Sequence, residues 1–103
     1  MLVNAGRRKD WRGRLVSPPV HRGSTILFDS VAQMRAASPG LGSYVYGLQG
    51  TPTQWALAGA LTELEPGAAG TALMPSGLAA VTSALMTVLS SGDELLMVDS
   101  VYG

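Results

Sequence analysis

Residues 74–85 read MPSGLAAVTSAL, and how this stretch is divided decides the fold. It opens at the end of an apolar run, GTALM at 70–74, and breaks at Pro75-Ser76-Gly77. Beyond the break Leu78, Val81, Leu85, Val88 and Leu89 recur with helical period, and Gly92 is placed to end a helix. A second apolar run, ELLMV, follows at 94–98. The spacing predicts a strand over 70–74, a helix over 76–92 and a strand over 94–98. Strand, helix, strand is a βαβ unit, which makes a parallel sheet with a right-handed crossover. Neither run alternates cleanly between apolar and polar residues, as expected where both faces of a sheet are covered. The fold class read from this pattern is α/β. A sheet covered on both faces needs more strands than the two or three found here, so the chain is expected to be a piece of a larger α/β protein.

Gly77 raises a further question, because Gly inside the first helical turn costs roughly 1 kcal/mol relative to Ala. The end of a parallel strand and the start of the next helix form the edge where open α/β sheets bind ligands. A helix N-terminus offers unpaired N–H groups and about half a positive charge, which suits an anion such as a phosphate. Without a Cβ at 77, a phosphate can approach the amides of Gly77 and Leu78. Ser76 is expected either to cap the helix or to hydrogen-bond the anion, and not both with one hydroxyl. The alternative is that Ser76 is an ordinary cap and Gly77 relieves crowding. No Gly-Lys-Ser/Thr follows the turn and no G-x-G-x-x-G is present, so a P-loop and a Rossmann dinucleotide fingerprint are both excluded.

Upstream, TPTQWALAGALTEL at 51–64 carries a complete helix start. Thr51 is the cap, Pro52 takes the first helical position and Gln54 completes a capping box. Leu57, Leu61 and Leu64 give one apolar stripe, and Glu65-Pro66-Gly67 stops the helix. A shorter helix is expected to begin at Asp29 or Ser30 and run through Ala37. STILF at 24–28 reads as a short strand and YVYGLQG at 44–50 as extended or loop. Residues 1–23, rich in Gly, Pro and Arg, read as an irregular arm, extended around Pro18-Pro19. The expected division is an arm and subunit-contact segment over 1–50 and the start of a larger domain over 51–103.

Composition narrows the function classes. The 103 residues are 47% apolar and 14% charged, against roughly 25% charged in an ordinary soluble domain. All seven basic side chains lie within the first 35 residues, and only Glu63, Glu65, Asp93, Glu94 and Asp99 are charged after that. GRRKDWRGR at 6–14 is short, holds one aromatic and includes Asp10, so a solvated or subunit-contacting arm is expected and nucleic acid is not. With no cysteine, disulfides, thiolate metal sites and Cys nucleophiles are excluded, and a single histidine, His21, leaves no zinc constellation. The uncharged stretch 66–92 is interrupted by Pro75, Ser76 and other hydroxyl residues, and its longest apolar run is shorter than the roughly 20 residues a membrane span needs. No membrane segment and no secretory signal are expected, and the cytoplasm is the expected compartment.

Three separate stretches, YGLQGTPTQWALAGALTELE, MPSGLAAV and GDELLMVDSVYG, resemble in order the N-terminal part of the Cys/Met metabolism (trans-sulfuration) enzymes that depend on pyridoxal phosphate. LVNAGR and PPVHRGSTILF fit the same family's opening. The resemblance implies the aspartate aminotransferase-like fold (fold type I), of which this chain is the arm and the start of the large cofactor-binding domain. It implies pyridoxal 5′-phosphate as cofactor, with the amides of Gly77 and Leu78 on its phosphate, Tyr102 stacked on its ring, and Tyr46 reaching the phosphate bound by a neighbouring subunit. A homo-oligomer follows from that last role, a dimer at minimum and a tetramer by expectation. Many relatives carry Arg two residues after that tyrosine; this chain has Leu48, then Gln49, so another donor must compensate for the missing guanidinium.

The implied substrate is a small sulfur amino acid. GTPT at 50–53 leans toward β-lyases, which split cystathionine into homocysteine, pyruvate and ammonia. The family's γ-synthases, γ-lyases and homoserine sulfhydrylases are the near alternatives. The family's Schiff-base lysine, ring-nitrogen aspartate and carboxylate-binding arginine are expected beyond Gly103, since the sole lysine here, Lys9, sits in the arm. The parent protein is therefore expected to be an enzyme and this chain alone inactive. The reading from a different class is a non-catalytic anion-binding or subunit-interaction module.

Overall fold

The helix start at Thr51 forms as its sequence dictates. In the computed structural model, which describes residues 2–101, Gln54 Oε1 accepts the Thr51 N–H at 2.7 Å and closes the capping box, with Pro52 in the first turn. The helix runs Pro52–Leu64 and ends where Glu65 N–H turns back to the Thr62 carbonyl. Two shorter helices precede it, Lys9–Arg12 and Val31–Ala36. In chain order these are α1, α2 and α3. Of the two expected caps for α2, Ser30 is the one used: its Oγ accepts the Gln33 N–H at 3.1 Å, while Gln33 Oε1 accepts the Asp29 N–H at 2.8 Å. A single 3₁₀ turn, Gly47–Gln49, sits between α2 and α3.

The chain divides into two compact units, Met1–Leu73 and Met74–Gly103. In the first, the arm folds back on α3. Trp11 and Trp55 are the buried large apolar side chains, only 7% and 5% exposed, with ring centroids 6.2 Å apart. The Arg8 guanidinium lies 4.5 Å from the centre of the Trp11 ring and pairs with Asp10 at 2.7 Å. Further along, Thr53 Oγ1 accepts the His21 N–H at 2.8 Å and donates to the Pro19 carbonyl at 3.2 Å. The basic segment is thus not a solvated tail, because its tryptophan needs the cover that α3 supplies.

The face of α3 that receives the arm is not the leucine stripe. Trp55, Ala56, Gly59 and Ala60 form it, and their small side chains let the arm come close. Gly6, at φ 67°, lies so near the Ala56 carbonyl that a Cβ there would run into it. Leu57, Leu61 and Leu64, on the opposite face, are all exposed. α3 therefore carries two apolar faces, of which the periodicity reading found only one.

The second unit holds one helix, Gly77–Met86, here α4. It stops short of the expected end at Gly92, where Thr87 turns back on the helix: its Oγ1 donates to the Ala84 carbonyl at 2.6 Å, and its N–H also turns to that carbonyl. No residue of α4 is buried.

The expected strands over 24–28, 70–74 and 94–98 are not formed. Among the described residues, β-pairing is limited to one isolated bridge, Gly40 with Ser43. The α/β reading is corrected to this extent: the helices are in place and the sheet is not. A strand owes its stability to neighbours on its hydrogen-bonding edges, and these three segments find none among the described residues.

Candidate functional site

The first turn of α4 has the geometry of an anion cradle. Ser76 is the N-cap, with extended backbone at φ −155° and ψ 162°, and its Oγ accepts the Ala79 N–H at 3.1 Å. Its carbonyl accepts the Ala80 N–H at 3.0 Å. That leaves the N–H groups of Gly77 and Leu78 with no acceptor among the described residues, both directed out of the N-terminal end. The capping role expected of Ser76 is thus observed. It does not exclude an anion contact, since a hydroxyl that accepts from an amide keeps its own proton to donate.

No contact with the described residues outside its own helix calls for glycine at 77. A Cβ built there meets no described atom within 4 Å, and its φ is not positive. Among the described residues outside its own helix, nothing crowds this position. Leu78, the second residue of the pair, exposes 78% of its surface.

Tyr46 belongs to the other unit, where it precedes the 3₁₀ turn Gly47–Gln49 and caps it through its carbonyl, which accepts the Gln49 N–H at 2.8 Å. Its side chain is exposed, and its hydroxyl bonds to nothing among the described residues. Tyr102 lies outside the described residues.

Leu48 and Gln49, with Leu41, Gly50, Gln54 and Trp55, line an open cavity of about 390 Å³. Among the described residues no cationic side chain borders it. Donor groups on its lining include the side-chain amides of Gln49 and Gln54, the Trp55 indole N–H and the Thr71 hydroxyl, the last already bonded to Thr62.

Tyr44, to which sequence reading gave no role, packs edge-on against Trp55 with centroids 5.0 Å apart and planes at 65°, and lies 6.4 Å from His21. Burial pushes the Tyr44 phenol above its ordinary value. The sequence signal for this contact is the run of aromatics and glycines, Tyr44, Tyr46, Gly47, Gly50 and Trp55, in which small residues repeatedly flank large rings. No cluster of three or more His, Cys, Asp or Glu suited to a metal exists among the described residues, and no helix there is long and apolar enough to cross a membrane.

The family model described as Cys/Met metabolism PLP-dependent enzyme matches residues 1–103. A putative cystathionine beta-lyase of Rhizobium johnstonii is 47% identical over 94 residues, covering 91% of this chain and 22% of that protein. Cystathionine beta-lyase MetC of Escherichia coli is 39% identical over 98% of this chain and 26% of its own length. An L-methionine gamma-lyase of Fusobacterium nucleatum is likewise 39% identical, over 98% of this chain and 25% of that enzyme. The chain thus spans about a quarter of the length of the curated relatives it matches. With a family model matched from the first residue to the last, the chain belongs to the Cys/Met metabolism family of pyridoxal-phosphate-dependent enzymes.

Proposed function

We propose that this chain is the phosphate-binding and subunit-contacting part of a pyridoxal-phosphate-dependent carbon–sulfur lyase that cleaves cystathionine to homocysteine, pyruvate and ammonia. The observation that supports the reading is Gly77, a helix-weakening residue that no contact with the described residues outside its helix and no positive φ requires. A ligand that must come close to the main chain supplies the missing reason.

In this reading the N–H groups of Gly77 and Leu78 donate to the cofactor phosphate, each charge-assisted bond contributing roughly 1.5–3 kcal/mol. The positive end of α4 adds to the attraction. Ser76 holds the turn through its acceptor and turns its hydroxyl proton toward the anion. Tyr46, exposed and with its hydroxyl uncommitted, meets the phosphate held by a neighbouring copy, so the active unit is at least a dimer. Tyr102 takes the ring-stacking role. When bound, the cofactor supplies an electron sink for the carbanion generated at the substrate α-carbon. This chain's residues fix the cofactor's position by its phosphate; none of them, Lys9 included, is assigned a proton-transfer step.

The test is turnover of cystathionine by the full-length polypeptide, with product identification. Homocysteine and pyruvate are the expected products. An enzyme that takes up no pyridoxal phosphate overturns the reading. The similarity to an L-methionine gamma-lyase at the same 39% identity as to the E. coli beta-lyase favours a γ-lyase as the second reading. Release of cysteine and 2-oxobutyrate from cystathionine selects it.

A further inference from the structure

We infer that Trp55 is a positioning residue for Tyr46, gripping both ends of the segment that carries it. This rests on the reading above, in which Tyr46 meets a phosphate. At one end of the segment the Tyr44 ring stands edge-on to the Trp55 indole at 5.0 Å. At the other end Gly50, at φ 140°, lies so close to the indole nitrogen that a Cβ there would run into it. A positive φ and a ring face leave room only for glycine at that point.

Between these two grips the chain has little freedom. Gln49 N–H bonds to the Tyr46 carbonyl at 2.8 Å and Gly50 N–H to the Gly47 carbonyl at 3.3 Å. Gly47 N–H donates to the Ser24 carbonyl at 2.6 Å, and a side chain at 47 would run into the Gly23 carbonyl. The indole itself is fixed on its far side by Trp11 and through α3 by the Thr51–Gln54 cap. The backbone at Tyr46 is therefore set by buried contacts while its ring projects from an exposed position. Trp55 needs no contact with the ligand to act; it places the residue that makes one.

The experiment is a double-mutant cycle in the full-length protein, titrating apoenzyme with pyridoxal phosphate and following the bound cofactor's absorbance. W55L is expected to weaken binding about tenfold, the worth of one charged hydrogen bond. W55F is expected to lose clearly less than W55L, because a ring still receives Tyr44 while the indole edge against Gly50 is gone. On a Y46F background W55L is expected to add less than about a twofold loss, since the residue it positions is already disabled.

An undiminished effect of W55L on that background, or a W55F variant as weak as W55L, overturns the inference. If W55L does not fold, Y44A removes one grip and leaves the tryptophan pair packed, and the same non-additivity with Y46F is expected of it. Amide hydrogen exchange of the apoprotein over residues 44–50 reads the clamp without cofactor. It is expected to speed up about tenfold in W55L and clearly less in W55F, and unchanged exchange in W55L overturns the inference. A wild-type protein that binds no pyridoxal phosphate sinks the functional reading, while the exchange measurement still decides the clamp.

Discussion

Trp11 and Trp55 meet with ring centroids 6.2 Å apart and planes inclined at 51°, and this contact joins the basic arm to α3. It is the centre of the first unit's apolar burial. Replacing Trp11 by Ala in the full-length protein is expected to cost roughly 3 kcal/mol, near the lower end for truncating a buried Trp because the arm can settle into part of the space. Faster proteolysis within residues 13–23 and a lower urea midpoint check this. Asp10→Asn should leave both nearly unchanged. The Arg8 side chain holds the Asp10 carboxyl below its ordinary range, but both groups are fully exposed, and exposed pairs stabilise little.

The close approach of the arm gives a second prediction. Gly6 and Gly13 both have positive φ, 67° and 57°, but only Gly6 has a backbone carbonyl in the path of a Cβ. Gly13→Ala is expected to lose about 1–3 kcal/mol, the backbone term alone, since φ 57° with ψ −124° is a conformation that L side chains rarely adopt. Gly6→Ala is expected to lose clearly more, since the arm must shift off α3. Denaturant midpoints of the two variants measure the difference, and equal losses contradict the packing described.

The partly desolvated phenol of Tyr44, still 39% exposed, predicts a small pH dependence with a definite sign. Burial raises its folded pKa above the unfolded value near 10. Below that value the phenol is neutral in both states and the contribution is fully present. As pH rises through the unfolded and then the folded pKa, the unfolded state ionises first and the contribution is lost. Stability should therefore fall between pH 9 and 11 (urea midpoints at about those values suffice), and Tyr44→Phe should fall less than wild type.

Ser76 gives a prediction that separates its two roles. Ser76→Ala should destabilise α4 by about 1 kcal/mol through loss of the cap, whereas Ser76→Gly should cost only a few tenths. Both remove the hydroxyl proton, so both should weaken pyridoxal phosphate binding to a similar degree in the full-length protein. Binding losses that follow the helix losses instead would make Ser76 a cap and nothing more.

How much of this was legible in the sequence varies with the range of the interaction involved. Thr51, Pro52 and Gln54, Ser30 with Gln33, and Ser76 all act within four residues of themselves, and each formed as its side chain dictates. The strands were a different matter, because residues 70–74 and 94–98 have the composition of buried strands but pairing depends on neighbours that composition cannot supply. The leucine stripe of α3 was read correctly as apolar, yet the face that packs is the small-residue one, since a tryptophan and a glycine backbone need room more than they need large partners. Gly77 was legible as an anomaly from its cost to the helix. What the structure adds is that neither crowding by described residues outside its helix nor a positive φ accounts for it.

The central claim is that a cofactor phosphate rests on the amides of Gly77 and Leu78, and the direct measurement is the pyridoxal phosphate affinity of Gly77→Val beside Gly70→Val in the full-length protein. Both positions are open to a Cβ within the chain, so both variants should fold. Gly77→Val is expected to weaken binding by at least about tenfold, because its branched side chain stands where the anion must approach, and Gly70→Val by less than about twofold. Equal affinity of Gly77→Val and wild type would contradict the account.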